Sequence, residues 1–452
     1  MIQSICILGR QPALGLAELE SLYGGAHVQP VGQFAAELDI KVDFSRLGGS
    51  TRLAAVVAEI PSTNWKLVEK ELQKIVRSAA FAVPAEGKFH FGLSAYGFAI
   101  SPAKLSALGL TLKKLIRSRG VSVRVVPNNE PALNTAQVYH NHLADEHGAE
   151  LLIIADKDRS VIARTIAVQD IDNYTLRDRG RPKRDPKVGM LPPKLAQIII
   201  NLAAAESRVT SHESRVIVDP FCGTGVLLQE ALLMGFGAYG SDLEPRMIEY
   251  SRSNLDWFTS KFQIPNSKFD LSVGDATTFR LPEDLNIVCV ACETYLGRPF
   301  TAPPDRQMLE QTVSEVNTIL TKFLRNIHCQ LPSGTRLCVA VPAWLSPTPG
   351  PNMSRLDEVQ DDGEARTEPY KKYREGALQL TTQQFAKRSH GADGYASRQV
   401  AAARYVRHLP LIDQISDLGY NQVRFECVRG NELLYYREDQ IVARELLVLT
   451  VK

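Results

Sequence analysis

Apolar and polar positions follow one texture up to about residue 175 and another beyond it. In the first part, short apolar runs at 4–8, 36–40, 53–60, 90–96, 121–126, 151–155 and 161–169 predict strands. Between them, apolar residues recur every three or four positions at 14–23, 65–79, 102–119 and 136–142, which predicts helices. Strands and helices mixed in this way predict an α+β region. Beyond it, an apolar helix over 197–205, with Pro192 or Pro193 near its first turn, leads into a regular alternation. Strands end near residues 218, 243, 273, 293 and 342, with helical stretches at 226–233, 245–258 and 307–330. This order predicts an α/β, doubly wound sheet. A helix at 409–418 and strands at 423–428, 433–436 and 445–451 would add an antiparallel C-terminal edge. Proline, glycine and mixed charge at about 346–398 predict an insertion or lid.

Composition narrows the class. A chain of 452 residues is too long for one ordinary core, so two or three domains are expected. With 44% hydrophobic and 23% charged residues it reads as globular. A formal net charge of +2 confines any nucleic-acid surface to local patches. Two patches stand out. The predicted helix at 102–119 carries a basic face with Lys104, Lys113, Lys114, Arg117 and Arg119, and 177–187 reads RDRGRPKRDPK. The candidate RNA contacts are Lys113, Lys114, Arg117, Arg177, Arg179, Arg181, Lys183 and Arg184. A solvated helix face and a hydrated basic linker over 176–190 are the plain alternatives. The cysteines are scattered through apolar runs, as in reduced, buried thiols. Cys289 and Cys292 form a C-x-x-C inside one predicted strand without a second pair, so no metal site is expected. No apolar run is long enough to span a membrane, and a soluble, cytoplasmic protein is expected; nothing fixes its oligomeric state.

The chemistry concentrates where the second texture begins. Asp219–Gly225 reads DPFCGTG, between the strand at 216–218 and the helix at 226–233. Glycines let a ligand lie against such a turn, and the helix aims its first amides at the same point. The next strand ends at Asp242-Leu243, and the third is followed by Gly274-Asp275-Ala276. Successive acids at strand ends suit ribose hydroxyls and an adenine amino group. The first turn lacks the third glycine of a dinucleotide fingerprint and the Gly-Lys-Ser/Thr of a phosphate loop, which disfavours a phosphate-rich ligand. The set resembles S-adenosylmethionine-dependent methyltransferases. That resemblance implies S-adenosyl-L-methionine as cofactor, with Asp219, Phe221, Cys222, Gly223, Gly225, Asp242, Leu243, Asp275 and Ala276 as its contacts.

A sharper resemblance spans VQDIDNYTLRDRGRPKRDPKVGMLPPKLAQIIINLA, residues 168–203, together with DPFCGTG and the opening ILGRQPALGLAEL at 7–19. These are similar to the THUMP-domain tRNA guanine-N2 methyltransferases, and the likeness extends to about residue 300. It implies a ferredoxin-like region at 1–80, a THUMP-like RNA-binding domain at 81–175 and, after the linker, a Rossmann-like methyltransferase domain at 191–452. It also implies tRNA as partner and the exocyclic N2 of a guanosine, at position ten, as methyl acceptor.

Amine methyltransferases of this kind carry Asp or Asn, two prolines and an aromatic residue after the fourth strand. Here the chain reads Glu293-Thr294-Tyr295-Leu296-Gly297. An exocyclic amine is a weak nucleophile because its lone pair is delocalised into the ring. A carboxylate and a backbone carbonyl accepting its two N–H bonds would favour the pyramidal form. Glu293 is the candidate carboxylate, and Tyr295 the candidate stacking partner for a flipped base. The departure also leaves open a catalytically silent RNA- and cofactor-binding homologue, and an adenine-N6 nucleic-acid methyltransferase is a further alternative.

Overall fold

The computed structural model describes residues 4–84, 87–185, 190–205, 215–264, 267–300, 302–346, 353–355, 405–428, 433–437 and 440–452. They divide into two compact units, with the chain passing from the first to the second after Asn173.

The first unit runs β1 (Ser4–Leu8), α1 (Pro12–Tyr23), β2 (Val28–Val31), β3 (Ala35–Leu38), β4 (Ser50–Ile60), α2 (Trp65–Arg77), β5 (Lys88–Tyr96), α3 (Pro102–Arg117), β6 (Ser122–Val125), α4 (Thr135–His140), β7 (Gly148–Asp156) and β8 (Arg159–Val168). Among the described residues these strands form one eight-stranded sheet, ordered β2-β3-β1-β4-β8-β7-β5-β6. The boundary expected at 80/81 falls between α2 and β5, yet β4 and β8 pair antiparallel from Arg52↔Val168 to Ile60↔Ser160. That pairing joins the two halves into one sheet. A buried polar network adds to it: Glu150 accepts hydrogen bonds from Ser94 Oγ at 2.5 Å and Thr165 Oγ1 at 2.7 Å, and lies 3.4 Å from the Arg52 guanidinium.

In the second unit, α5 (Ile171–Arg179) bridges the boundary in sequence and α6 (Pro193–Ala204) follows. Then come β9 (Val216–Asp219), α7 (Val226–Leu233), β10 (Gly237–Asp242), α8 (Pro245–Lys261), β11 (Phe269–Val273), β12 (Ile287–Glu293), α9 (Arg306–His328) and β13 (Arg336–Ser346). Short strands β14 (Ser354–Arg355), β15 (Tyr405–Arg407), β16 (Tyr420–Gln422) and β17 (Leu434–Tyr435) precede the long β18 (Val442–Val451). The order β11-β10-β9-β12-β13 is parallel throughout, and β18 pairs antiparallel with β13. Chain order runs outward from β9 through β10 and β11, then restarts at β12 on the other side. Strands β9 and β12 therefore flank the switch point where open α/β sheets bind ligands.

Packing follows the apolar pattern. Helix α9 starts at Asp305, whose side chain accepts from the Met308 amide at 2.8 Å, a cap that contributes about 1 kcal/mol. It buries Val313, Val316, Leu320, Phe323, Leu324 and Ile327 in a core shared with β12, β13 and β18. Burying each such side chain stabilises the fold by roughly 1.5–3 kcal/mol. The strand expected at 423–428 is absent: pairing to β18 covers 420–422, and after the Val423 amide bonds the Val448 carbonyl the chain leaves the sheet. The helix expected at 409–418 is a short 3-10 turn, Pro410–Gln414. Of the 346–398 insertion, Ser346 and residues 353–355 are described; the remainder lies outside the described residues.

Candidate active site

Strand β9 is buried along its whole length and ends at Asp219, which is 3% exposed. Asp219 Oδ1 accepts from the Phe221 amide at 3.0 Å and starts the turn. The Cys222 amide bonds the Ser241 carbonyl, and the Gly225 amide closes back on the Cys222 carbonyl at 2.8 Å. Gly223 and Gly225 both take positive φ, +50° and +82°. Asp242 completes the arrangement: its Oδ2 accepts from the Gly223 amide at 2.9 Å and its Oδ1 from the Glu244 amide at 3.0 Å. A residue that the sequence reading did not single out makes this closeness possible. A Cβ at Gly240 would meet Leu228 Cδ1 at 2.5 Å and Cys222 Cβ at 3.0 Å, so a side chain there would displace Leu228 and crowd the turn against β10.

The acids here are under electrostatic stress. Burial holds the Asp219 carboxyl well above the usual carboxylate range, and the nearby charges of Asp242 and Glu293 push it further. Burial likewise raises Asp242, against the backbone amides that bond it. A pocket lined this way favours a cation. Leu243 and Val273, at the ends of the paired strands β10 and β11, remain 64% and 51% exposed. Asp275 beside them is exposed, its Oδ1 accepting from the Thr277 amide and hydroxyl, both at 2.8 Å. Ala276 is buried, with its carbonyl held by Asn326 Nδ2. Phe221 turns toward the core and packs edge-on against Phe323 at 5.0 Å. The Cys222 thiol is buried and its pKa is raised by burial, which removes it as a thiolate nucleophile.

Across the switch point, β12 delivers Glu293. Its Oε1 accepts from Arg444 Nε on β18 at 2.5 Å, with the two side chains 16% and 8% exposed. Arg444 is the residue that sequence reasoning missed. Thr294 anchors the following turn, since its amide and its hydroxyl both bond the Ala340 carbonyl at 3.0 Å. Gly297 takes φ +84°, and a Cβ there would lie 2.8 Å from Thr312 Cγ2 on α9. The turn after Glu293 is thus fixed by Thr294 and Gly297 in the place where prolines were expected. Tyr295 is 37% exposed, with its hydroxyl 3.4 Å from Glu315; burial and that carboxylate raise its phenol pKa.

The basic stretch has two readings, an RNA-contact loop and a hydrated linker over 176–190, but α5 already covers its start and two of its arginines are buried. Arg177 lies against the buried Glu230, 2.9 Å from Nε to Oε1, and over the Tyr174 ring at 4.3 Å. Arg181 donates to Thr224 Oγ1, inside the DPFCGTG turn, at 3.1 Å. The backbone of Lys183 exchanges hydrogen bonds with the Asn254 side chain, which also holds the Thr224 carbonyl. Residues 181–183 therefore brace the turn. Arg177 and Arg181 are spent on internal partners, because burying a guanidinium requires them, so neither is available as an RNA contact. Arg179, Lys183 and Arg184 are exposed, as are Lys114 and Arg117 on α3, while Lys113 is half-buried. Cys289 and Cys292 are fully buried. No helix among the described residues is long and apolar enough to cross a membrane.

Residues 181–342 match the family model described as UPF0020, RMKL-like, methyltransferase domain. A tRNA (guanine(10)-N2)-dimethyltransferase of Methanothermobacter thermautotrophicus is 29% identical over 190 residues, which is 42% of this chain and 49% of that protein. The enzyme of the same description from Pyrococcus abyssi is 33% identical over 126 residues, 28% of this chain and 34% of its own. The chain spans about half, or less, of the length of the curated relatives it matches. Among solved structures, TrmN from Thermus thermophilus aligns over 100% of both chains at 14% identity with a TM-score of 0.44.

Proposed function

We propose that this chain, whose residues 181–342 match the UPF0020 methyltransferase-domain model, transfers a methyl group from S-adenosylmethionine to the exocyclic N2 of a guanosine in tRNA. The observation that carries this reading is the meeting of Asp219, Asp242 and Glu293 around the β9/β12 switch point within the matched domain. The name of the curated relatives supports position ten as the target.

The cofactor fits the residues present. Bound there, S-adenosylmethionine supplies a methyl group on a positively charged sulfur. Asp219, strained by burial and by two neighbouring acids, gains a cationic partner. The Gly223–Gly225 turn leaves room for the methionine end, Asp242 keeps lone pairs for ribose hydroxyls, and Leu243 and Asp275 face the adenine. On the other side, the Glu293 carboxylate and the backbone carbonyl of Glu293 or Thr294 accept the two N–H bonds of the guanine amine. Tyr295 stacks on the flipped base. No covalent nucleophile is required. In this reading, residues 81–175 form a THUMP-like RNA-binding region after a ferredoxin-like segment. Lys113, Lys114, Arg117, Arg179, Lys183 and Arg184 contact RNA phosphates, and the protein works in the cytoplasm.

The test uses labelled S-adenosylmethionine and an unmodified tRNA transcript, followed by identification of the methylated nucleoside. Label on N2-methylated guanosine, abolished in Glu293→Ala, supports the proposal. Cofactor binding with no transfer to any RNA identifies a silent homologue, and label on adenine N6 identifies the other class.

A further inference from the structure

Glutamate at 293 has one more rotatable bond than the aspartate or asparagine expected after β12, and the hydrogen bonds of the Thr294 turn do not reach its side chain. Something else must restrict Glu293, because a displacement of about 1 Å at a reacting group can cost on the order of 100-fold in rate. The restriction comes from β18. Its register against β13 places Arg444 opposite Pro342, and Arg444 Nε meets Glu293 Oε1 at 2.5 Å. Both partners are largely withdrawn from water, at 8% and 16% exposure. Among the described residues, Glu293 is the one hydrogen-bond partner of the Arg444 guanidinium. That contact uses a single carboxylate oxygen, and Oε2 has lone pairs with which to accept from an amine.

We infer that Arg444 is a positioning residue for methyl transfer. It holds Glu293 Oε1 so that Oε2 points at the acceptor nitrogen. This rests on the proposed function, in which Glu293 presents the amine. The guanidinium touches neither cofactor nor base; it acts through Glu293 alone. From the packed strands, Glu293 faces Asp219 on β9 and Arg444 on β18.

The experiment compares the full chain with Arg444→Gln, Arg444→Lys, Glu293→Gln and the double variant Arg444→Gln/Glu293→Gln. Each is assayed with S-adenosylmethionine and unmodified tRNA, and cofactor binding is measured by calorimetry. Expected for Arg444→Gln is a fall in kcat of about 10–100-fold with an unchanged KM for cofactor. Arg444→Lys, which keeps the charge without the fork geometry, recovers part of the rate. In the Glu293→Gln background, Arg444→Gln adds no further loss, since the cycle isolates an effect routed through Glu293. If Arg444→Gln keeps the parental rate while Glu293→Gln is inactive, the inference falls and the proposed function stands. If Glu293→Gln is as active as the parent, the role given to Glu293 fails, and that of Arg444 with it. Should Arg444→Gln fail to bind cofactor or to melt cooperatively, Arg444→Lys decides: a parental kcat in that variant overturns the inference.

Discussion

On the cofactor side of the site, Asp219, Gly223 and Asp242 are joined through backbone amides, the longest of these links reaching across 19 residues of chain. On the base side, Glu293 depends on a guanidinium 151 residues away. The first arrangement orders few side-chain rotors, because the turn that forms it is already closed by its own amides. The second must immobilise a glutamate and an arginine, at a conformational cost of up to about 2 kcal/mol each. The lesson is that one pocket can combine a rigid half that tolerates little change with a half whose geometry depends on a single ion pair.

The largest expected effect separates the halves outright. Glu293→Ala should lower transfer by about 100- to 1,000-fold, the range seen when one oriented transition-state partner is removed, and leave cofactor affinity within a few-fold. Loss of cofactor binding in isothermal titration would show that the two halves are not separable. Next in size, Asp219→Asn should weaken S-adenosylmethionine binding by about 10–100-fold, in line with the 1.5–3 kcal/mol of hydrogen bonds to charged groups.

The sign of the pH dependence follows from the direction of the Asp219 shift. An acid whose folded pKa is raised contributes stability at low pH that is lost as pH rises from the ordinary carboxylate range through its raised value. A bound cation offsets that loss. The increase in melting temperature caused by S-adenosylmethionine should therefore grow with pH, and Asp219→Asn should flatten the trend. A trend unchanged in Asp219→Asn would remove Asp219 from the cation's surroundings.

Smaller effects probe the turn and the surface. Gly297→Ala should destabilise the protein by about 1–2 kcal/mol, because it places a side chain at positive φ and against Thr312. The displaced turn should reduce kcat more than the cofactor KM; denaturant unfolding and steady-state kinetics measure the two. Lys114→Ala and Arg117→Ala should each lower the slope of log affinity for tRNA against log salt by about 1, with cofactor binding unaffected. An unchanged slope would return that helix face to the plain solvated reading.

Much of the cofactor side was legible in the chain itself. Strands β11 and β12 end where expected, at 273 and 293; in β12 the apolar run Ile287–Cys292 carries the signal, and in β11 apolar residues alternate with polar ones. The glycines and acids of the turn are local features, and local features survive translation into structure. Strand β2 escaped notice because four residues containing Pro30 carry little periodicity. Arg177 and Arg181 misled for a different reason: charge counting sees a basic run but not the acid or hydroxyl that folding brings beneath it. Arg444 was invisible because nothing near it in sequence signals Glu293. Its partner is set by the β13–β18 register, a consequence of the completed sheet.

The separation of Glu293 from Arg444 also sets an order of events during synthesis. At roughly 5–20 residues per second, Arg444 leaves the ribosome about 8–30 seconds after Glu293, 151 residues earlier in the chain. Through that interval the three acids of the pocket are already polymerised and the counter-charge is not. A chain interrupted before β18 keeps the residues that attract a cation and lacks the one that aims the carboxylate.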